Sequence, residues 1–231
     1  MISGTVDSAE AVDTKNHVRD AVRAAWPDLP TLLVGSILFC AVAAFIIAMS
    51  PGVNVVSILL SSVLLVPIIG ALAQTVQLTV AEGSAPSPLR LLRTLPRTWW
   101  LTMRECLALA VSSTLVFFAF GVWTQTSDPV WLFSLAASGT VSALSLLCTI
   151  VALPLRLRRP DLSARHLWLI SLTVVVRDPV PIIGVVVAGG LGIWAVTSLT
   201  ASLLLLVPLF LAIIWAAAIG VTAGKAGLDR L

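Results

Sequence analysis

Six apolar runs, each about the ~20 helical residues needed to cross ~30 Å of hydrocarbon, alternate with polar connections along this chain. The first runs from about Thr31 to Met49 and is closed by Ser50-Pro51-Gly52, a strong turn signal. The second, about Val53 to Ala81, is long enough to tilt or to project from the bilayer. The third covers Leu101 to Trp123, the fourth Val130 to Leu155, the fifth Pro179 to Val196 and the sixth Ala201 to Val221. Every second connection (Ser50 to Asn54, Thr124 to Pro129, Thr197 to Thr200) is only a few residues long. The pattern therefore predicts an all-α polytopic membrane protein whose six transmembrane helices pair as three hairpins. Residues 1–28 are expected as a cytoplasmic tail with an amphipathic helix, 29–223 as the transmembrane domain and 224–231 as a short cytoplasmic tail.

Charge orients this arrangement. All 14 Lys and Arg lie on one side of the spans, in the tails, in the longer connections or, for Arg104, in the first turn of the third run, and the three short connections carry none, with Asp128 their one acid. Basic residues stay on the cytoplasmic side, so both termini are expected in the cytoplasm and the protein in the inner, cytoplasmic membrane. The first apolar run is too long for the core of a cleavable signal peptide.

Three basic segments precede the odd-numbered spans. Lys15, Arg19 and Arg23 stack beside Val18, Ala21, Val22 and Ala25; Leu89, Leu92 and Trp99 alternate with Arg90, Arg93 and Arg97. Before the fifth span, Ser163 reads as an N-cap for a segment with Arg165, His166, Leu167 and Trp168. Each is either a short amphipathic helix in the headgroup plane, its arginines snorkelling, or a basic loop that only fixes topology. Three of a kind favour the helices. An internal repeat agrees: Val66-Pro67 with Gly83 matches Val207-Pro208 with Gly224 at a constant offset.

Composition narrows the function. Apolar residues are 58% of the chain and charged residues 11%, far from the ~25% charged of soluble domains. The net charge of +3 points to anionic lipid headgroups as a partner, and no aromatic-plus-basic module suggests nucleic acid. Cys40, Cys106 and Cys148 lie singly in apolar surroundings and read as packing residues. Helix association is expected through small residues at spacing four: Ser36, Cys40, Ala44, Ala48; Ser134, Ser138, Ser142; Gly184, Ala188, Gly192; and Ala212, Ala216, Gly220, Gly224. Trp99, Trp100 and Trp168 at one boundary and Trp123, Trp131 and Trp194 at the other make an aromatic belt. Pro67, Pro154 and Pro208 are expected to kink their helices and leave carbonyls unpaired.

Candidate chemistry is sparse. Glu105 is the one acid inside an apolar run, and it reads with Arg104 as an interfacial pair near the end of the third span. Gln74 and Gln77 lie on one face of the second span and serve either interhelical hydrogen bonding or a polar pocket open to the cytoplasm. His17 and His166 share no metal-ligand spacing, no membrane serine has an activating base, and no phosphate-binding glycine motif occurs. No catalytic residue, metal or cofactor is expected.

The segment from Pro67 through Glu82, Gly83, Pro88, Leu89 and Arg90 to Arg97, Thr98, Trp99 and Trp100 resembles the YesL-like family of small bacterial membrane proteins. Ala152-Leu153-Pro154-Leu155, Leu162 and Arg177-Asp178-Pro179 look like its second characteristic region. The resemblance implies association with carbohydrate-uptake ABC transporters and no defined activity. The expectation is a non-catalytic accessory or regulatory partner of a transport system, docking through its basic segments around Arg90, Arg93, Arg97 and Arg104. The alternatives are a small-solute carrier with its pocket at Gln74 and Gln77, or a membrane organiser that binds anionic lipid.

Overall fold

Uninterrupted apolar sequence makes Leu29–Met49 helical throughout, and this is α1 of the computed structural model, which describes residues 29–52, 54–82, 88–198 and 205–226. The helix stops where the sequence turns. The Ser50 amide bonds the Ile46 carbonyl at 2.9 Å, and Gly52 takes a φ of 86°, which a side chain disfavours. Asn54 then starts the next helix with a reciprocal cap: its side chain accepts from the Ser57 amide at 2.9 Å, and the Ser57 hydroxyl accepts from the Asn54 amide at 3.0 Å. α2 (Val55–Leu60), a π turn (Ser61–Leu65) and α3 (Val66–Glu82) follow as one continuous rod. The π turn sits immediately before Pro67, where the missing amide and the ring bulk prevent a regular ladder, so the expected kink takes the form of one wide turn.

α4 (Pro88–Thr126) and α5 (Pro129–Arg158) form the most extensive helix pair, joined by Ser127 at a φ of 53° and Asp128, which caps α5 by accepting from the Val130 amide at 3.0 Å. The Ser113 and Ser142 hydroxyls meet at 3.3 Å between them. α6 (Ala164–Arg177) is N-capped by Ser163 as expected, and α7 (Pro179–Ser198) and α8 (Val207–Ala226) complete the described residues. α8 packs on both α3 and α7, which brings the ends of the chain's apolar part together around a core that includes Leu32, Leu72, Val76, Leu153 and Trp215.

Among the described residues the protein is all helical, and five helices are long and apolar enough to cross a membrane: Leu29–Met49, Val55–Val76, Glu105–Thr126, Pro129–Leu157 and Pro179–Val196. It is a multi-pass membrane protein. The last helix has a shorter apolar stretch, Val207–Ile219, and the first residues of the expected sixth span lie outside the described residues.

Three expectations change. The basic segment before the third span is no separate helix: α4 runs 39 residues, ~58 Å at 1.5 Å per residue, straight through Pro96. Pro96 is the one breaker between Arg90 and Leu101, and the helix continues past the bond it removes from the Leu92 carbonyl. Pro208 does not kink a helix interior, because it is the second residue of α8, where its lost amide has no helical partner anyway. α6 does not lay its whole apolar face on lipid. Leu167, Ser171, Val174 and Val175 are buried against the bundle, and Leu169, Leu172 and Val176 are the exposed row. The corresponding segment at residues 18–25 lies outside the described residues. Of the tryptophans expected in a belt, Trp99, Trp100 and Trp194 are exposed, and Trp123, Trp131 and Trp168 are half-buried.

Candidate functional site

Proline chemistry organises the centre of the molecule. Pro154 stands inside α5 and has no amide to offer the Ile150 carbonyl one turn earlier. A carbonyl left bare in an apolar interior costs ~1–3 kcal/mol. Trp215 of α8 removes that cost, its indole nitrogen donating to the Ile150 oxygen at 2.8 Å. Pro154 and Trp215 are both buried, so the bond lies inside the bundle.

Beside this bond lies a cavity of about 360 Å³, bounded by α3, α4, α5, α7 and α8. Its walls are hydrocarbon: Val66 and Ile69, Leu109, Leu146, Val186 and Ile193. Gly189 and Gly190 keep one wall low, with only Leu211 within 4 Å of a methyl placed at Gly189 and nothing near one at Gly190. The two polar side chains at the lining are already engaged. Trp215 bonds Ile150, and the Thr149 hydroxyl donates to the Ser145 carbonyl at 2.7 Å. Hydrogen bonding to a polar solute is therefore not what these walls offer.

One to two turns toward the basic end, α4 and α5 are tied by charge. Arg156 Nε lies 3.6 Å from Glu105 Oε1, with Glu105 fully buried and Arg156 nearly so. Arg156 also donates through Nη1 to the Leu162 carbonyl, clamping the turn that leads into α6. Thr102, one turn before, is fully buried and satisfies its hydroxyl on the Thr98 carbonyl at 2.9 Å. Glu105 is fully buried and so does not lie exposed at the membrane interface, where it was expected with Arg104. Its cross-helix ion pair is with Arg156, 51 positions along, because α4 and α5 pack antiparallel along their length and bring those turns level. The Arg104 side chain lies outside the described residues.

The remaining sequence candidates fall elsewhere. Gln74 is half-buried on α3 and is not among the residues lining the cavity; the Gln77 side chain lies outside the described residues. Arg90, Arg93, Arg97 and Arg104 all sit on the first half of α4, at spacings of three, four and seven that keep them on one face of the helix. Their side chains also lie outside the described residues. No group of three metal-ligating side chains occurs among the described residues. Sequence reasoning misses two residues that matter. Arg156 reads along the chain only as a topology signal, although it follows Pro154 inside the same helix. Trp215 does have a signal: a tryptophan mid-span, away from both belts, points to an interior hydrogen bond.

The fifth-span stripe divides. A methyl at Gly192 would meet Val207 Cγ1 at 2.9 Å, so α7 and α8 touch backbone to side chain there; one at Gly184 meets nothing within 4 Å. Gly184 shares an outward face with Val180, Val187 and Leu191, all exposed.

No family model matches the chain, and no curated protein or solved structure matches it either. The YesL-like resemblance accordingly rests on the residues that carry it.

Proposed function

We propose that this protein is a six-span membrane protein of three hairpins, with both termini in the cytoplasm, that serves as a non-catalytic accessory partner of a transport system. The carbohydrate context comes from the YesL-like resemblance. The observation that supports a partner is the state of α7. Only 11% of its apolar window is covered by the rest of the chain, against 28% in each of the other four long spans. Glycine at an outward position gives nothing to a lipid contact, whereas it permits a second helix to approach closely. Gly184, open to the outside between Val180 and Val187, is such a position.

The apolar cavity weighs against the carrier reading, since a sugar needs a polar lining and Gln74 does not contribute one there. The basic stripe of α4 supplies the cytoplasmic half of the docking face. A photoreactive residue at Val187, used in cells, should cross-link to a permease subunit, and Gly184→Leu should abolish the product. Charge reversal at Arg93 and Arg97 should release the same partner, while Gln77→Leu leaves it bound. Cross-links to lipid alone, together with a polar solute that survives purification and is lost in Gln77→Leu, would favour the carrier and sink the partner reading.

A further inference from the structure

The central cavity has a position as well as a shape. Leu109 lies one turn beyond Glu105, and Thr149 and Ile150 lie about two turns, ~10 Å, from Arg156 along α5. Ile193 is 14 residues, ~21 Å, from the first residue of α7. The cavity thus reaches from just below the buried ion pair past the middle of a ~30 Å hydrocarbon layer. Its lip is Ile193, 67% exposed on the flank of α7, so it opens sideways toward the bilayer.

Three observations identify the occupant. The walls are aliphatic apart from the indole of Trp215, and both polar side chains are spent inside the protein. Water has no partners to hold it in such a space, since a buried water needs two to four polar groups. At that depth the surrounding solvent is hydrocarbon, and the volume of about 360 Å³ falls in the range of a ligand site. We propose that the cavity holds one hydrocarbon chain of a bilayer phospholipid, entering past Ile193 and packing against Gly189, Ile150 and the face of Trp215. The bound lipid fills the gap that α5 and α7 leave between them and steadies α7. The chain supplies the packing that glycine does not.

This site is separate from the partner face. On α7, Val186, Gly189 and Ile193 face the cavity, and Val180, Gly184, Val187 and Leu191 lie on the outward side. The two are testable apart. The full chain is purified in a mild detergent, exchanged until bulk lipid is gone, and weighed intact by native mass spectrometry. One phospholipid per chain should persist in the wild type and in Gly184→Leu, and Gly189→Leu, which fills the cavity, should lower its occupancy at least fivefold. Wild-type occupancy in Gly189→Leu, or no retained lipid in the wild type, overturns the site. A second measurement does not depend on that variant folding. In vesicles of phosphatidylcholine brominated at mid-chain, the emission due to Trp215, taken as wild type minus Trp215→Phe, should fall by more than half. Equal Trp215 emission in brominated and unbrominated vesicles overturns it as well. Loss of the cross-linked partner in Gly184→Leu with lipid retained would leave both readings standing, each on its own evidence.

Discussion

Trp215 and Ile150, on helices far apart in the chain, are joined by an indole-to-carbonyl hydrogen bond of 2.8 Å that exists because Pro154 cannot serve that carbonyl. The two residue choices are thus one feature. Trp215→Phe should cost ~1–3 kcal/mol in detergent unfolding, as expected for a stranded buried acceptor. In a Pro154→Ala background, where the substituted residue offers the helix an amide, the same change should cost much less. Equal costs in the two backgrounds would show that Trp215 stabilises by ring packing alone.

That coupling shows where the sequence was legible. Apolar run lengths located the helices, and the turn residues Ser50-Pro51-Gly52, the short connection Thr124 to Pro129 and the cap Ser163 marked their ends, because these are local effects. The extent of α4 was not legible. The basic segment was expected as an element of its own, yet Pro96 does not break a helix whose following face, Thr98, Thr102 and Cys106, is buried. The site was least legible. Glu105 meets Arg156, and Trp215 meets Ile150, only through helix pairing, and no spacing along the chain encodes which turns come level.

The Glu105 and Arg156 pair carries a second prediction. Removing one member strands a buried charge, so Glu105→Leu or Arg156→Met alone should destabilise by ~3–5 kcal/mol. The double variant should recover most of that loss, since two apolar side chains of similar volume replace the pair. Arg156→Met should in addition loosen the turn at Leu162, visible as faster amide exchange through Ser163 to Leu167. If the double variant is as unstable as the worse single one, the pair does more than neutralise itself.

Close approach is confined to particular glycines. A methyl at Gly35 collides with Leu72, which has no free space because it is fully buried, and at Gly192 it presses on Val207. Gly35→Ala and Gly192→Leu should each cost ~1–3 kcal/mol, the usual penalty of overpacking. Gly184→Leu and Gly139→Leu, with nothing within 4 Å, should leave the melting temperature of the isolated protein almost unchanged. A fall at Gly184 equal to that at Gly192 would restore a single continuous seam along α7.

Topology is the prediction that the charge distribution makes and that helix packing alone does not. Single cysteines at Gly52 or Ser127, in a chain with Cys40, Cys106 and Cys148 replaced by Ala, should react with an impermeant maleimide added outside intact cells. Both positions are exposed turns between consecutive helices. Cysteine at Ser163, in the turn that Arg156 clamps, should react only after the membrane is opened, because the proposed topology puts the side that carries the 14 basic residues in the cytoplasm. Cysteine at Ser198 tests the last pair of helices, since α7 and α8 make one hairpin only if their connection reaches the outside. Labelling at Gly52 and Ser127 with protection at Ser198 would place α7 and α8 otherwise and break the six-span arrangement. Labelling at Ser163 in intact cells would invert it, moving the basic stripe of α4 away from any cytoplasmic partner and removing half of the proposed docking face.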